Sequence, residues 1–334
     1  MSKKTERKGN LKYSLLLLLL LAVLLVSSTY AWFTANEVVS ISTIDVNVIA
    51  SNGLQISADA SNWKAILQVE DITGAGVTYA TNKNQMPAIL EPVSTAGIVT
   101  NHYLDMYYGQ AVVAEAGDNL GEYVLQATKE NAEVEGAEGK YIAFDVFLRV
   151  DQPEDIVLST DSNVVFKADT TDSGIQNAAR VAFLDKGTVA PGSTSAQAQA
   201  LDEGETADLV IWEPNNDVHT AAAVQNANDT YGITTQQTGA AQIEYDGIKA
   251  AIAGEDVLLG KADATKFADY FADVDPQIST QQTMATEQPL IHLEAGITKL
   301  RIYMWVEGQD VDCENQASGS DMSFNLKFEI AEEP

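Results

Sequence analysis

Apolar and polar residues alternate along several stretches of this 334-residue chain, and the alternation predicts strands. The clearest covers residues 141–150. Ile142, Phe144, Val146, Leu148 and Val150 fall on one face, and Tyr141, Asp145, Phe147 and Arg149 on the other. Period two sustained over such a run marks a strand with one face in a core. Near the C-terminus Leu300, Ile302, Met304 and Val306 alternate with Arg301, Tyr303, Trp305 and Glu307. Phe324, Leu326, Phe328 and Ile330 alternate with Ser323, Asn325, Lys327 and Glu329 in the same way. Shorter strands are expected at 155–158, 163–167, 180–184 and 209–212.

Residues 37–49 are rich in Val and Ile. Val39 and Ile41 alternate with polar neighbours, then the phase slips and Ile44, Val46 and Val48 carry it on. One extra residue near Ser42-Thr43 restores the pairing, as in a β-bulge. Asn52-Gly53 is a turn signal, with Leu54-Gln55-Ile56 resuming the strand beyond it. In 60–100, Trp63, Ile66, Leu67 and Val69 can pack, while Pro87 and Pro92 interrupt the rest. Tyr103, Tyr107 and Tyr108 precede a run rich in Glu, Ala and Gly that reads as a solvated loop or an edge hairpin. Residues 191–201 and 215–241 are small and polar and read as loops. Segments 243–259 and 264–271 have helix-compatible spacing. Eight or more strands with few helices and long connections predict an all-β protein, an antiparallel jelly-roll-type β-sandwich with a few short helices and long loops. One domain over 32–334 is expected, with an inserted polar and helical excursion at about 215–290.

The N-terminus follows another pattern. Lys3, Lys4, Arg7, Lys8 and Lys12 precede an unbroken apolar run from Leu15 to Val26, and small residues follow. A basic segment, a dozen apolar residues and a small-residue junction read as an export signal over residues 1–31. Thr29 and Ala31 precede a cut between Ala31 and Trp32. The apolar helix would span about 18 Å against a hydrocarbon core of about 30 Å, which favours cleavage over a permanent anchor. No later apolar run approaches 18 residues, so no stable membrane span is expected after processing, and the mature chain is expected to be secreted.

Removing residues 1–31 takes away five cations and one anion, leaving 14 Lys+Arg against 47 Asp+Glu, a formal charge of −33. A nucleic-acid binder needs a basic face, so that class is excluded. Cys313 is the single cysteine. An internal disulfide is therefore impossible, and the acidic setting of Cys313 is the reverse of what activates a thiol.

Motifs for catalysis are lacking. His102, His219 and His292 share no spacing, and no zinc, nucleophile-elbow, P-loop or dinucleotide motif occurs. An enzyme is not expected, and no catalytic residue or cofactor is assigned. Asp310, Asp312 and Glu314 place carboxylates on alternate residues, which a turn can gather around Ca²⁺. The competing reading is a solvated acidic loop. Trp32, Trp63, Trp212 and Trp305 are candidates for a carbohydrate platform, with Trp305 on the polar-alternating face of its strand.

Thr29-Tyr30-Ala31-Trp32-Phe33-Thr34, followed by Ile44-Asp45-Val46, resembles the signal junction and first strand of the TasA/camelysin family of Gram-positive bacteria. Those proteins are processed by a signal peptidase of the SipW type. Arg180-Val181-Ala182-Phe183, Ile211-Trp212-Glu213-Pro214-Asn215, Arg301–Gly308, Asp312-Cys313-Glu314-Asn315 and Phe324–Phe328 are similar to motifs in Firmicutes surface proteins carrying this signal. The resemblance implies a biofilm-matrix or cell-surface protein built from jelly-roll subunits. It also implies fibres in which the N-terminal strand of one subunit completes the sheet of the next. Val39, Ile41, Ile44, Val46 and Val48 would then fill alternate pockets of a neighbour. Camelysin's metalloprotease activity is not carried over, because no zinc motif supports it. The alternative from a different class is a monomeric adhesin or glycan-binding module.

Overall fold

The computed structural model describes residues 44–50, 53–130, 133, 138–166, 173–231, 234–238, 245–254, 256–259, 264–279, 289–313 and 321–331. The export signal, the Ala31–Trp32 junction, Val39, Ile41 and Glu314 lie outside these residues. Among them, no helix is long and apolar enough to cross a membrane.

Twelve strands build the frame. They are β1 (Ile44–Ala50), β2 (Gln55–Ser57), β3 (Ile66–Gln68), β4 (Ile142–Val150), β5 (Glu154–Leu158) and β6 (Asn163–Phe166). After them come β7 (Ala179–Val189), β8 (Leu209–Glu213), β9 (Ile278–Ser279), β10 (Ile291–Leu293), β11 (Gly296–Val306) and β12 (Met322–Ile330). One six-stranded sheet runs β10-β5-β12-β1-β3, with β6 also on β12; the other runs β9-β8-β7-β11-β4-β2. Pairing is antiparallel except at β1–β12 and β8–β9. The protein is all-β, and its two large sheets face each other. Phe144, Val146 and Leu148 of β4 share one core with Val181 and Phe183 of β7, Leu300, Ile302 and Met304 of β11, and Phe324, Leu326 and Phe328 of β12. Phe183 meets Phe328 edge-on, with ring centroids 5.9 Å apart. Burying each such side chain stabilises the fold by about 1.5–3 kcal/mol.

β1 and β2 do not pair with each other as a hairpin. β1 pairs with β12 and β3, whereas β2 crosses to the other sheet and pairs with β4. The backbone turns at Gly53 (φ +90°), with open space where a side chain would stand.

The larger correction concerns the polar-alternating faces of β4 and β11, which are buried rather than solvated. A third layer covers them. Val93, Leu104, Met106, Tyr245 and Val274 pack on Ala143, Ala182, Leu184, Tyr303 and Trp305. Tyr107–Val113 and Tyr123–Lys129 form a hairpin, so the edge-hairpin reading of that region describes it, with Val124 and Leu125 fully buried. Asp246–Ile248 pairs with Phe271–Asp273, so 243–259 is not the helix its spacing suggested; Ala264–Tyr270 is helical as expected. Two segments read as loops contain helices, Ser195–Gln199 and Ala221–Tyr231. Their Ala and Gln residues are good helix formers that lack an apolar stripe, so periodicity does not reveal them.

Candidate functional site

Beneath the third layer the second sheet carries charged side chains, which gather around two buried arginines. The first group centres on Arg180, on the β7 face opposite Val181. Its Nη2 donates to Glu213 Oε1 at 2.5 Å and to Asp310 Oδ2 at 2.6 Å. Its Nη1 donates to the carbonyls of Asn177 and Ala179. Glu213 comes from the end of β8 and Asp310 from the loop after β11. That loop is folded by its own carboxylates: Gln309 N donates to Glu307 Oε1, and Asp312 N donates to Asp310 Oδ1. Trp305 Nε1 donates to the other oxygen of Glu307 at 3.0 Å.

His219 joins this group from the segment before the Ala221–Tyr231 helix. Its Nδ1 lies 2.8 Å from Asp312 Oδ2, and Thr220 N donates to Asp312 Oδ1 at 2.8 Å. Thr220 Oγ1 accepts from Ala223 N, so one residue caps the helix and anchors the acidic loop. Gly174 (φ +82°) makes this approach feasible, because a Cβ there would stand 2.0 Å from Thr220 Cγ2. Potential ligand atoms of His219, Asp310 and Asp312 all lie within 4.8 Å of one another.

Burial governs the acidities. It lifts Glu213 to about 7 despite Arg180, and Glu307 to about 7 despite bonds from Ser94 and Trp305. It also raises Asp312, against its bond from His219. Burial, the largest single influence, works to lower His219, but the hydrogen bond to Asp312 together with the charges of Asp310, Asp312 and Glu213 outweighs it, and the imidazole stays above its ordinary value.

The second group centres on Arg301 of β11, which stands opposite Asp145 of β4 in the strand register. Arg301 Nη1 donates to Asp145 Oδ1 at 2.8 Å, its Nη2 donates to Lys83 O, and Glu133 lies 3.6 Å away. Lys299 Nζ is 3.3 Å from Asp145 Oδ2, and Tyr79 OH donates to that oxygen at 2.8 Å. Burial alone would raise Asp145, but Arg301 and Lys299 hold it below the usual carboxylate range. A cavity of about 180 Å³ opens over this group, lined by Lys83, Lys186, Lys299, Arg301, Tyr79 and Tyr103 together with the carboxylates Asp145 and Asp202.

No protein-family model matches the chain. No curated protein and no solved structure matches it either.

Asp310 and Asp312 do come together, with His219 as their companion, and they are 8% and 2% exposed rather than solvated. The sequence hides this partnership because His219 and Asp312 are 93 residues apart. Cys313 is buried in the sandwich core, and no thiol chemistry is assigned to it. Trp212 and Trp305 are fully buried, which removes them from any carbohydrate platform; Trp63 is half-buried, with Arg149 4.2 Å over its ring. Of the other histidines, His102 lies by the Gly204 carbonyl, and His292 makes an exposed pair with Asp155. Ile44, Val46 and Val48 sit opposite Met322, Phe324 and Leu326 in the β1–β12 register.

Proposed function

We propose that this is an exported structural protein of the cell surface or extracellular matrix, a jelly-roll-type subunit whose copies join by exchanging β1. The observation that carries the reading is the place of β1 in its sheet. It lies between β12 and β3, parallel to β12 over seven residue pairs from Ile44↔Met322 to Ala50↔Phe328. Withdrawing it leaves the hydrogen-bonding edge of β12 open, and an open edge accepts a strand of the same sequence from another copy. In the isolated chain β1 pairs within its own subunit. The turn at Gly53 is the hinge about which the same pairs would form between subunits. The resemblance at the signal junction supports export and self-association.

The test compares the full mature chain with a chain beginning at Gly53, by electron microscopy and light scattering. Fibres from the longer chain, lost in the shorter and blocked by a peptide of residues 37–50, support the reading. A longer chain that stays monomeric at every concentration overturns it.

A second reading, a monomeric binding module, draws on the cavity beside Arg301, whose cations and tyrosine rings suit an acidic sugar. A monodisperse monomer that binds a uronic-acid oligosaccharide, and loses it on Lys83→Ala, would favour that reading.

A further inference from the structure

The charges around Arg180 do not balance. Glu213, Glu307, Asp310 and Asp312 are all 8% exposed or less and, among the described residues, are met by a single arginine and one imidazole. The polar bonds around them are incomplete too. His219 Nε2, Asn216 Oδ1, Arg180 Nε and both polar side-chain atoms of Gln309 are buried without a hydrogen-bond partner among the described residues. Five of the eleven such atoms among the described residues belong to these four side chains, and a buried polar group left unpaired is costly. The excess of buried carboxylates over cations at one place points to a missing positive charge.

We propose that His219, Asp310 and Asp312 hold a divalent transition-metal ion, of which zinc is the type. The imidazole separates this site from a calcium or magnesium site, which takes oxygen alone, and one nitrogen with two carboxylates suits zinc or manganese. Bonds of about 2.0–2.2 Å require the three ligand atoms, which lie within 4.8 Å of one another, to draw closer together when the ion binds. Binding displaces the proton shared by His219 and Asp312. Arg180 keeps its bond to Asp310 and orients that carboxylate from behind. The ion joins the loop leading from β11 to β12 to the segment leading into the Ala221–Tyr231 helix. This role stands whether or not β1 is exchanged.

The test is done on the full mature chain, stripped with a chelator and titrated with zinc in excess calcium, which occupies the surface carboxylates. One zinc per chain with submicromolar affinity is expected, together with a melting temperature raised by roughly 5 °C at a hundredfold excess over Kd. His219→Gln and Asp312→Asn, each confirmed folded by circular dichroism, should each weaken zinc binding at least a hundredfold. X-ray absorption at the zinc edge of the parent protein gives a readout that needs no variant, and one imidazole in the coordination shell is expected. No zinc bound at micromolar concentration, an all-oxygen shell, or parental affinity in both variants would overturn the proposal.

Discussion

The two faces of the second sheet share strands, register and burial, yet they are held by different physics. On one face Phe144, Val146 and Leu148 meet the opposite sheet through apolar contact alone. On the other, Asp145, Arg301, Lys299 and Arg180 are equally removed from water but each must find a charged or hydrogen-bonding partner. The apolar face tolerates any well-filled arrangement. The charged face tolerates one, because a carboxylate without its arginine in low dielectric is strongly unfavourable. Burial stabilises the first directly. In the second it is a cost that geometry offsets, so that face adds specificity of docking for the third layer more than it adds stability.

Removing one partner should break the comparison most sharply. Arg301→Met takes the arginine from Glu133 and leaves Asp145 only Lys299 and Tyr79, and is expected to destabilise by about 3–5 kcal/mol in urea unfolding. Phe328→Ala, on the apolar face, should lose a similar amount, about 3–5 kcal/mol, through its cavity. The double variant Arg301→Met/Asp145→Leu separates the mechanisms by recovering much of the loss. If it is as unstable as Arg301→Met, the ionic account of this face is wrong.

These faces also differ in how much of them the sequence discloses. The strands around Phe144, Ile302 and Phe324 are legible because a half-buried strand imposes period two on its side chains. The same pattern misleads at Asp145, Arg301 and Trp305, where polar character reads as solvent exposure although the cover arrives from residues 93–106 and 245–274, far away in the chain. One signal was available: Phe144-Asp145-Val146-Phe147 puts an acid among aromatics on a strand, and Arg301 occupies the corresponding place in another polar-alternating run. Asp310 and Asp312 were legible as carboxylates that a turn could gather. Their burial and His219 were not, because nothing local records a contact made across 93 residues.

Acidity sharpens the comparison, since the two arginine groups respond with opposite sign. Glu213 and Glu307 titrate at about 7 when folded against 4.5 ordinarily. The folded state therefore binds more protons between these values, and stability falls as pH rises from 4.5 through 7, by at most roughly 3 kcal/mol per group. Asp145 is held below its ordinary 3.8. Its contribution is complete above that value and is lost as pH falls below it. Urea unfolding of the metal-free chain should show greatest stability near pH 4.5, and Glu213→Gln should flatten the upper limb only. An unchanged upper limb in that variant would remove Glu213 from the explanation.

A smaller effect isolates one hydrogen bond. Trp305→Phe retains most of the buried ring but removes the donor to Glu307 Oε2. A cost of about 1–3 kcal/mol is expected, because the acceptor stays buried. Most of it should vanish at pH 4.5, where Glu307 is protonated on folding.

The smallest effect lies where the polar face emerges from its cover. Arg149, the last polar-side residue of β4, is half-buried, donates to Gln55 of β2 and stacks over Trp63. Here the alternation gave the environment correctly, and the chemistry is that of a partly solvated cation on an aromatic ring. Arg149→Ala should cost only about 0.5–1 kcal/mol in urea unfolding. Arg149→Lys should recover little of it, since an ammonium cannot lie flat on the indole. The contrast with Arg301 is the decisive part. Both are arginines at polar positions of adjacent strands, and the sequence assigns them the same role. A loss at Arg149 matching that at Arg301 would mean that the third layer extends over this end of the sheet as well.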